Sequence, residues 1–255
     1  MTNRFFISFS FIFILILSVS CSKHLHLLEE STQTSMIVLN SAIGEDSIVK
    51  TFIAPYTKQL ERKMNEVVAF SDIALTKDEP ESLLSNFVTD LVFHKGNQYF
   101  HKSFNLKADA CLLNNGGFRT ELPKGNITVG NIFELMPFDN EIYVAKLSGA
   151  KVKEMLDFIA SKGGMPVAGI SMGIKDNTAS NVTIGGEKFD VSKEYYILTS
   201  DYLYNGGDNV RCFSDALESF PLNIRMRDII IEYLKELTME GKNIQAKLDK
   251  RIYYE

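Results

Sequence analysis

Two glycine pairs, each flanked by side chains suited to holding a ligand, carry most of the chemistry in this sequence: Asn114-Asn115-Gly116-Gly117-Phe118-Arg119 and Asn205-Gly206-Gly207-Asp208. Glycine lets backbone approach a ligand closely and adopt positive φ. The Arg119 guanidinium is a fork that fits two phosphate oxygens, and the Asp208 carboxylate can accept from a pair of hydroxyls. Phe138 follows the first turn and Tyr202 precedes the second, so a flat ring accompanies each. Phosphate, sugar diol and flat base are the three parts of a nucleotide, and the constellation reads as a nucleotide site. Each residue also has an ordinary use. Arg119 could pair with a surface carboxylate, Asp208 and Asn114 could shape turns, Phe138 could plug the core, and Tyr202 could pack its ring and leave its hydroxyl in water.

Machinery for breaking bonds is not evident. A dinuclear metal site needs a crowd of hard ligands and an open water position. The four histidines are His24, His26, His94 and His101, and no Asp-x-His or Gly-Asn-His-Asp occurs. A Ser-His-Asp arrangement needs its serine on a sharp strand-to-helix turn of the Gly-x-Ser-x-Gly kind, and no such motif is expected here. Walker A and Gly-x-Gly-x-x-Gly are absent. Cys111 stands near the first turn, but a cysteine closing an apolar strand is more often a core residue.

The positioning elements follow from periodicity. From Asp46, a plausible N-cap, Ile48, Phe52, Tyr56, Leu60 and Met64 repeat at helical spacing. Residues 66–75 read as a strand and 81–95 as a helix with Leu84, Phe87, Val88, Leu91 and Val92 inward. The apolar run 108–113 reads as a buried strand that delivers the first glycine turn, a usual place for a ligand site. Thr128 or Asn131 caps a short helix ending at Leu135, Pro137-Phe138-Asp139-Asn140 is a turn, and 141–147 is a strand. A helix begins at Ser148 with Val152, Met155, Leu156 and Ile159 inward. Residues 182–198 read as a hairpin around Gly185-Gly186 that runs on into a strand delivering the second turn. A last helix spans about 222–237. Helices and strands without steady βαβ alternation indicate an α+β domain over 46–255, with no internal boundary.

The first twenty residues read as an export leader. Arg4 supplies its charge, and the apolar stretch from Phe5 to Val19 is too short for a bilayer span of about 20 residues. Leu17-Ser18-Val19-Ser20-Cys21 resembles a bacterial lipobox, which would make Cys21 a lipid-bearing N-terminus followed by a polar tether over 22–45, with a possible first strand from Met36 to Leu39. A cell-envelope lipoprotein is the expectation. The net charge of −5 and the lack of a Lys/Arg run argue against a nucleic-acid partner. Beyond Cys21 there remain Cys111 and Cys212, which an oxidising envelope allows to pair but which equally suit two buried free thiols.

In this order the motifs resemble the C-terminal substrate-binding domain of the 5′-nucleotidase family, which includes UDP-sugar hydrolases and 2′,3′-cyclic phosphodiesterase relatives. The resemblance covers about 46–255. Asn114–Arg119 is similar to the family's Asn-Gly-Gly-Gly-Ile-Arg, Pro137-Phe138 to its Pro-Phe turn, Leu147-Ser148-Gly149 to its Leu-x-Gly, and Ser200–Asp208 to its Asn-Asp-Phe-Leu-Ala-x-Gly-Gly-Asp. Glu81, Asn86 and Asp90 resemble its Glu-x-x-x-Gly-Asn-x-x-x-Asp helix. The resemblance implies a single α+β domain of mixed sheets and packed helices. It implies that Arg119 holds the phosphate nearest the nucleoside, that Asn114 bonds the base, that Phe138 and Tyr202 sandwich it, and that Asp208 accepts from both ribose hydroxyls. Gly116, Gly117, Gly206 and Gly207 would let backbone close around the ligand. Asn115 stands where the family has a glycine, Tyr202 where it has Phe, and Pro80 where it has a second phosphate-binding Arg. Family members cleave phosphate esters with two metal ions held in a separate N-terminal metallophosphoesterase domain. No cofactor is therefore expected in this chain. The implied role is nucleotide recognition, with catalysis in a separately encoded metallophosphoesterase partner. The alternative is a stand-alone nucleoside- or nucleotide-binding envelope lipoprotein.

Overall fold

The computed structural model describes residues 44–255. The expected leader, Cys21, the tether and the possible strand Met36–Leu39 lie outside the described residues. Helix α1 spans Ser47–Met64. Its apolar spacing does form a helix, but that face is not buried: Phe52 is 71% exposed and Tyr56 67%. Only Met64, at its last turn, packs against the core. The periodicity located the helix, and it reports amphipathicity and not what covers the apolar face.

Strand β1 (Val67–Ser71) is followed by α2 (Leu83–Phe104). Against the expected end at Lys95, α2 continues through Gly96. The helix lies so close to the sheet there that a Cβ on Gly96 would fall 2.3 Å from Leu198 Cδ1. Its real stop is Asn105, left-handed at φ 57°. Then come β2 (Ala110–Leu112), a 3₁₀ turn at Asn115–Gly117, β3 (Gly125–Thr128) and α3 (Val129–Leu135). Both candidate caps of α3 act together: Asn131 N donates to Thr128 Oγ1 and Thr128 N to Asn131 Oδ1. Strand β4 (Glu141–Ser148) leads directly into α4 (Gly149–Ser161), capped by Ser148.

The remaining strands are β5 (Val167–Ala168), β6 (Ile170–Lys175), β7 (Thr178–Ile184), β8 (Glu187–Lys188) and β9 (Glu194–Ser200). The hairpin at Gly185-Gly186 is present, but β8 and β9 are separate strands in different sheets. After α5 (Asp201–Tyr204) come β10 (Glu218–Arg225), α6 (Met226–Met239) and β11 (Ile252–Tyr254). Leu222, expected in the last helix, belongs to β10, and the helix starts at Met226.

A five-stranded sheet in the order β10-β4-β9-β2-β5 is the frame of residues 48–255. Its central strands are buried on both faces, and their side chains alternate between two cores. Cys111, Ile142, Val144 and Leu198 face the first, with α2, α3 and α6. Leu112, Ala145, Leu147 and Ile197 face the second, with α4 and β6. This is the period-two alternation of a strand. The Glu81, Asn86 and Asp90 motif has a structural task. Asn86 Nδ2 donates to Lys247 O, Glu81 accepts from Asp249 N, and Asp90 takes both Arg251 Nη atoms, so the C-terminal tail is tied to the start of α2.

Candidate functional site

Strand pairing brings three distant segments to one end of the sheet. β2 and β9 run parallel, with Ala110 beside Ile197 and Cys111 beside Leu198, so their C-terminal ends emerge together. The first delivers Asn114–Gly117 and the second Ser200–Asp208. β4 is antiparallel to β9, with Ile142 opposite Ser200, so its start carries the Pro137–Asn140 turn to the same end. Loops at strand ends on a rigid sheet are where binding residues gather. Below them, the buried Thr199 Oγ1 donates to Leu112 O at 2.9 Å and locks β9 to β2.

A cavity of about 290 Å³ opens between these segments, lined by Asn114, Gly116, Gly117, Arg119, Phe138, Asn140, Tyr202 and Asp208. Its size lies near the lower end of small-molecule sites, roughly 300–1,000 Å³. Seven of the nine expected residues line it. Gly206 and Gly207 instead line an adjoining hollow with Asn140, Asp201, Tyr202 and Asn205. Asn140 was missed. It closes the Pro-Phe-Asp-Asn turn, and its place two residues beyond Phe138 in that turn was the available signal.

The hydrogen bonds give the cavity a wired wall. Asp208 Oδ2 accepts from Asn114 Nδ2 at 2.8 Å, and Asp208 Oδ1 accepts from Tyr202 Oη at 2.8 Å. The carboxylate is held at both oxygens, and each retains capacity for a further donor. The bond to Asp208 raises the Tyr202 hydroxyl above its ordinary pKa, so it stays a donor through the neutral range. One amide proton of Asn114, expected to serve a base, is committed to orienting Asp208. Also lining the cavity, the Arg119 guanidinium carbon stands 5.9 Å from the Phe138 ring centroid. Arg119 is the one cation among the lining residues.

The glycines act by space more than by dihedral angle. Gly116 and Gly117 have no positive φ. A Cβ on Gly117 would lie 3.1 Å from Asn114 Oδ1, and one on Gly207 only 2.5 Å from the Tyr202 ring. Gly206 alone among the four is left-handed, at φ 88°. Asp208 follows at φ 52°, a conformation that Asp tolerates better than most residues.

Pro80 lies against Gly164, whose added Cβ would meet Pro80 O at 2.4 Å, and does not line the cavity. Cys111 and Cys212 are free and buried in different cores. Burial drives the Cys111 thiol well above its ordinary pKa and pushes Cys212 up to about 12, which leaves both protonated and unreactive. Among the described residues no three His, Cys, Asp or Glu side chains gather as metal ligands. Gly169-Ile170-Ser171-Met172-Gly173 does have the letters Gly-x-Ser-x-Gly, contrary to the expectation that no such serine occurs. Its serine lies in strand β6, paired to Thr183 beside a shift in register before Gly173, and no helix follows, so it forms no strand-to-helix elbow.

The family model described as "5'-nucleotidase, C-terminal domain" matches residues 60–215. The trifunctional nucleotide phosphoesterase protein YfkN of Bacillus subtilis is 27% identical over 244 residues, covering 88% of this chain and 16% of that protein. A 5′-nucleotidase of Vibrio cholerae is 26% identical over 196 residues, covering 74% of this chain and 34% of that one. The crystal structure of a 5′-nucleotidase precursor from Thermus thermophilus superposes with a TM-score of 0.66 at 24% identity, over 84% of this chain and 44% of that one. The Haemophilus influenzae NAD nucleotidase has the same fold, with a TM-score of 0.62 at 18% identity. The chain thus spans less than half the length of these relatives.

Proposed function

Because the chain belongs to the family of 5′-nucleotidase C-terminal domains, we propose that it is the nucleotide-recognition half of a 5′-nucleotidase-type phosphohydrolase, completed by a separately encoded metallophosphoesterase chain. The observation that carries this reading is the cavity wall itself, where an oriented carboxylate, a cation and two ring-bearing side chains meet in one space. Asp208, fixed by Asn114 and Tyr202, accepts from the two ribose hydroxyls. Phe138 and Tyr202 take the base by stacking, worth ~1–3 kcal/mol per base. Arg119 neutralises the phosphate next to the ribose and presents it to the partner. Divalent metals activating water at the phosphorus would be the partner's contribution, since the described residues gather no ligand set for them. This chain supplies orientation, which converts an encounter of ester and metal centre into a positioned reaction. Export and a lipid on Cys21 would hold it at the envelope, where nucleotides are scavenged from outside; the lipobox-like run Leu17–Cys21 supports this.

Reconstitution tests the division of labour. The chain alone is expected to release no phosphate from AMP. Added to a metallophosphoesterase chain from the same source, it should raise kcat/KM for AMP at least about tenfold, with Asp208→Ala abolishing most of the gain. No gain over the metal-bearing chain alone would contradict the split-enzyme reading.

A second reading, a stand-alone nucleoside- or nucleotide-binding lipoprotein, is favoured by the single cation on the cavity wall and by Pro80 in place of a second Arg. Equal affinities for adenosine and AMP would support it, whereas a strong preference for AMP would oppose it.

A further inference from the structure

We propose that Arg227, which lines no part of the cavity, is the positioning residue that sets Phe138 for stacking and so governs recognition of the flat ring of the ligand. The inference rests on the nucleotide reading of the cavity and adds a residue to it. Arg227 is the second residue of α6 and only 6% exposed. Its Nη1 donates to three successive carbonyls, Met136 O at 3.0 Å, Pro137 O at 3.1 Å and Phe138 O at 3.3 Å. Its Nη2 donates to the Asp139 carboxylate, and the guanidinium lies 4.1 Å from the centroid of the Phe133 ring. Four consecutive residues are thus gathered on one planar fork, with Phe138 among them. The preceding residue completes the arrangement, because Met226 N donates to Asn140 O at 2.9 Å. The start of α6 therefore holds the turn from 136 to 140, while the Phe138 ring itself, 49% exposed, is left free to line the cavity.

The arrangement is specific to the turn. Arg251 is a similarly buried arginine, but its contacts with Asp90, Asp249 and Val167 O join α2, the tail and β5 and touch no cavity residue. Arg227 directs its side-chain hydrogen bonds to residues 136–139 and leaves its buried Nε without a protein acceptor. Its orientation is thus dictated by the turn and not by satisfaction of its own five donors. An ammonium cannot reproduce this. Lysine carries a point charge in place of the planar fork, so it can neutralise Asp139 without gathering three carbonyls in one plane.

The test uses the full chain and two independent readouts. The first is amide hydrogen exchange without ligand. Arg227→Met should raise exchange across 136–140 at least about tenfold and leave the central strands β4 and β9 unchanged, with Arg227→Lys intermediate. The second compares adenosine with ribose 5-phosphate, which has diol and phosphate but no base. Arg227→Met should weaken adenosine roughly 5- to 20-fold, part of what loss of stacking costs, and leave ribose 5-phosphate within about twofold. In a Phe138→Ala background the same substitution should add nothing. Equal weakening of both ligands, or an undiminished effect in the Phe138→Ala background, would overturn the proposal by making Arg227 a general structural residue. If Arg227→Met does not fold, Arg227→Lys is judged by the same criteria. A wild-type chain that binds neither ligand would overturn the nucleotide reading instead. Exchange then decides alone, and unchanged protection at 136–140 would overturn the positioning as well.

Discussion

At the scale of single residues, Asp208 organises the cavity wall, because its two carboxylate oxygens accept from Asn114 and Tyr202. Asn114, Arg119, Phe138, Tyr202 and Asp208 could be picked out because each is a ligand-grade side chain beside a turn. The bonds from Asn114 and Tyr202 to Asp208 depend on the parallel register of β2 and β9, and no local spacing encodes that register. Cys111 illustrates the opposite case, a residue near the site whose environment removes its chemistry. Its thiol is 0% exposed and its pKa is driven up by burial, whereas a nucleophile needs a pKa driven down. In a form beginning at Ser22, neither Cys111 nor Cys212 should react with iodoacetamide at pH 8 in the folded state, and both should react in denaturant. Both folded-state pKa values are raised, so their contribution to stability is fully present below the unfolded thiol pKa of about 8.5. It declines as pH rises toward the folded value, about 12 for Cys212. Rapid alkylation of the folded protein at pH 8 would contradict the burial described.

At the scale of elements, strong periodicity and caps were reliable guides. The short helix starting near Thr128 and Asn131, the helix start at Ser148 and the inward face of α4 all stand as read, and Thr128 and Asn131 cap together where the sequence offered either. Elements without a local signal were missed. β10 alternates half-buried and exposed residues but holds Pro221, and β11 is a three-residue strand that pairs in parallel with β6, about eighty residues earlier in the chain. A proline lowers strand propensity, and a three-residue strand has no period to detect. The helix α2 runs past its expected end at Lys95, and Gly96 is a contact point between it and Leu198. The second glycine turn gives an element-scale prediction. Gly207 has no positive φ, so Ala is compatible with its backbone, but the new Cβ would collide with the Tyr202 ring. Gly207→Ala should therefore displace that ring and weaken nucleoside binding about tenfold by calorimetry, within the range for one lost stacking partner. The thermal midpoint should move little, because the turn is at the surface. A variant with unchanged affinity would mean that the Tyr202 ring takes no part in recognition.

At the scale of the whole molecule, the five-stranded sheet explains why residues so far apart in sequence converge. Two parallel strands and one antiparallel neighbour place three loops at one end, and the two cores on its faces hold that end rigid. The α+β class and the family were legible because four motifs occur in the family's order. The outward apolar face of α1 was not, since it depends on what packs against the helix. The cavity's proposed ligand is the base and ribose of a nucleotide. The most direct test is calorimetric titration of AMP into the wild-type chain, Asp208→Ala and Phe138→Ala. AMP should bind, and each substitution should weaken it by about tenfold or more, from the loss of charge-assisted hydrogen bonds in one and of stacking in the other. AMP binding that is indifferent to both substitutions would contradict that assignment.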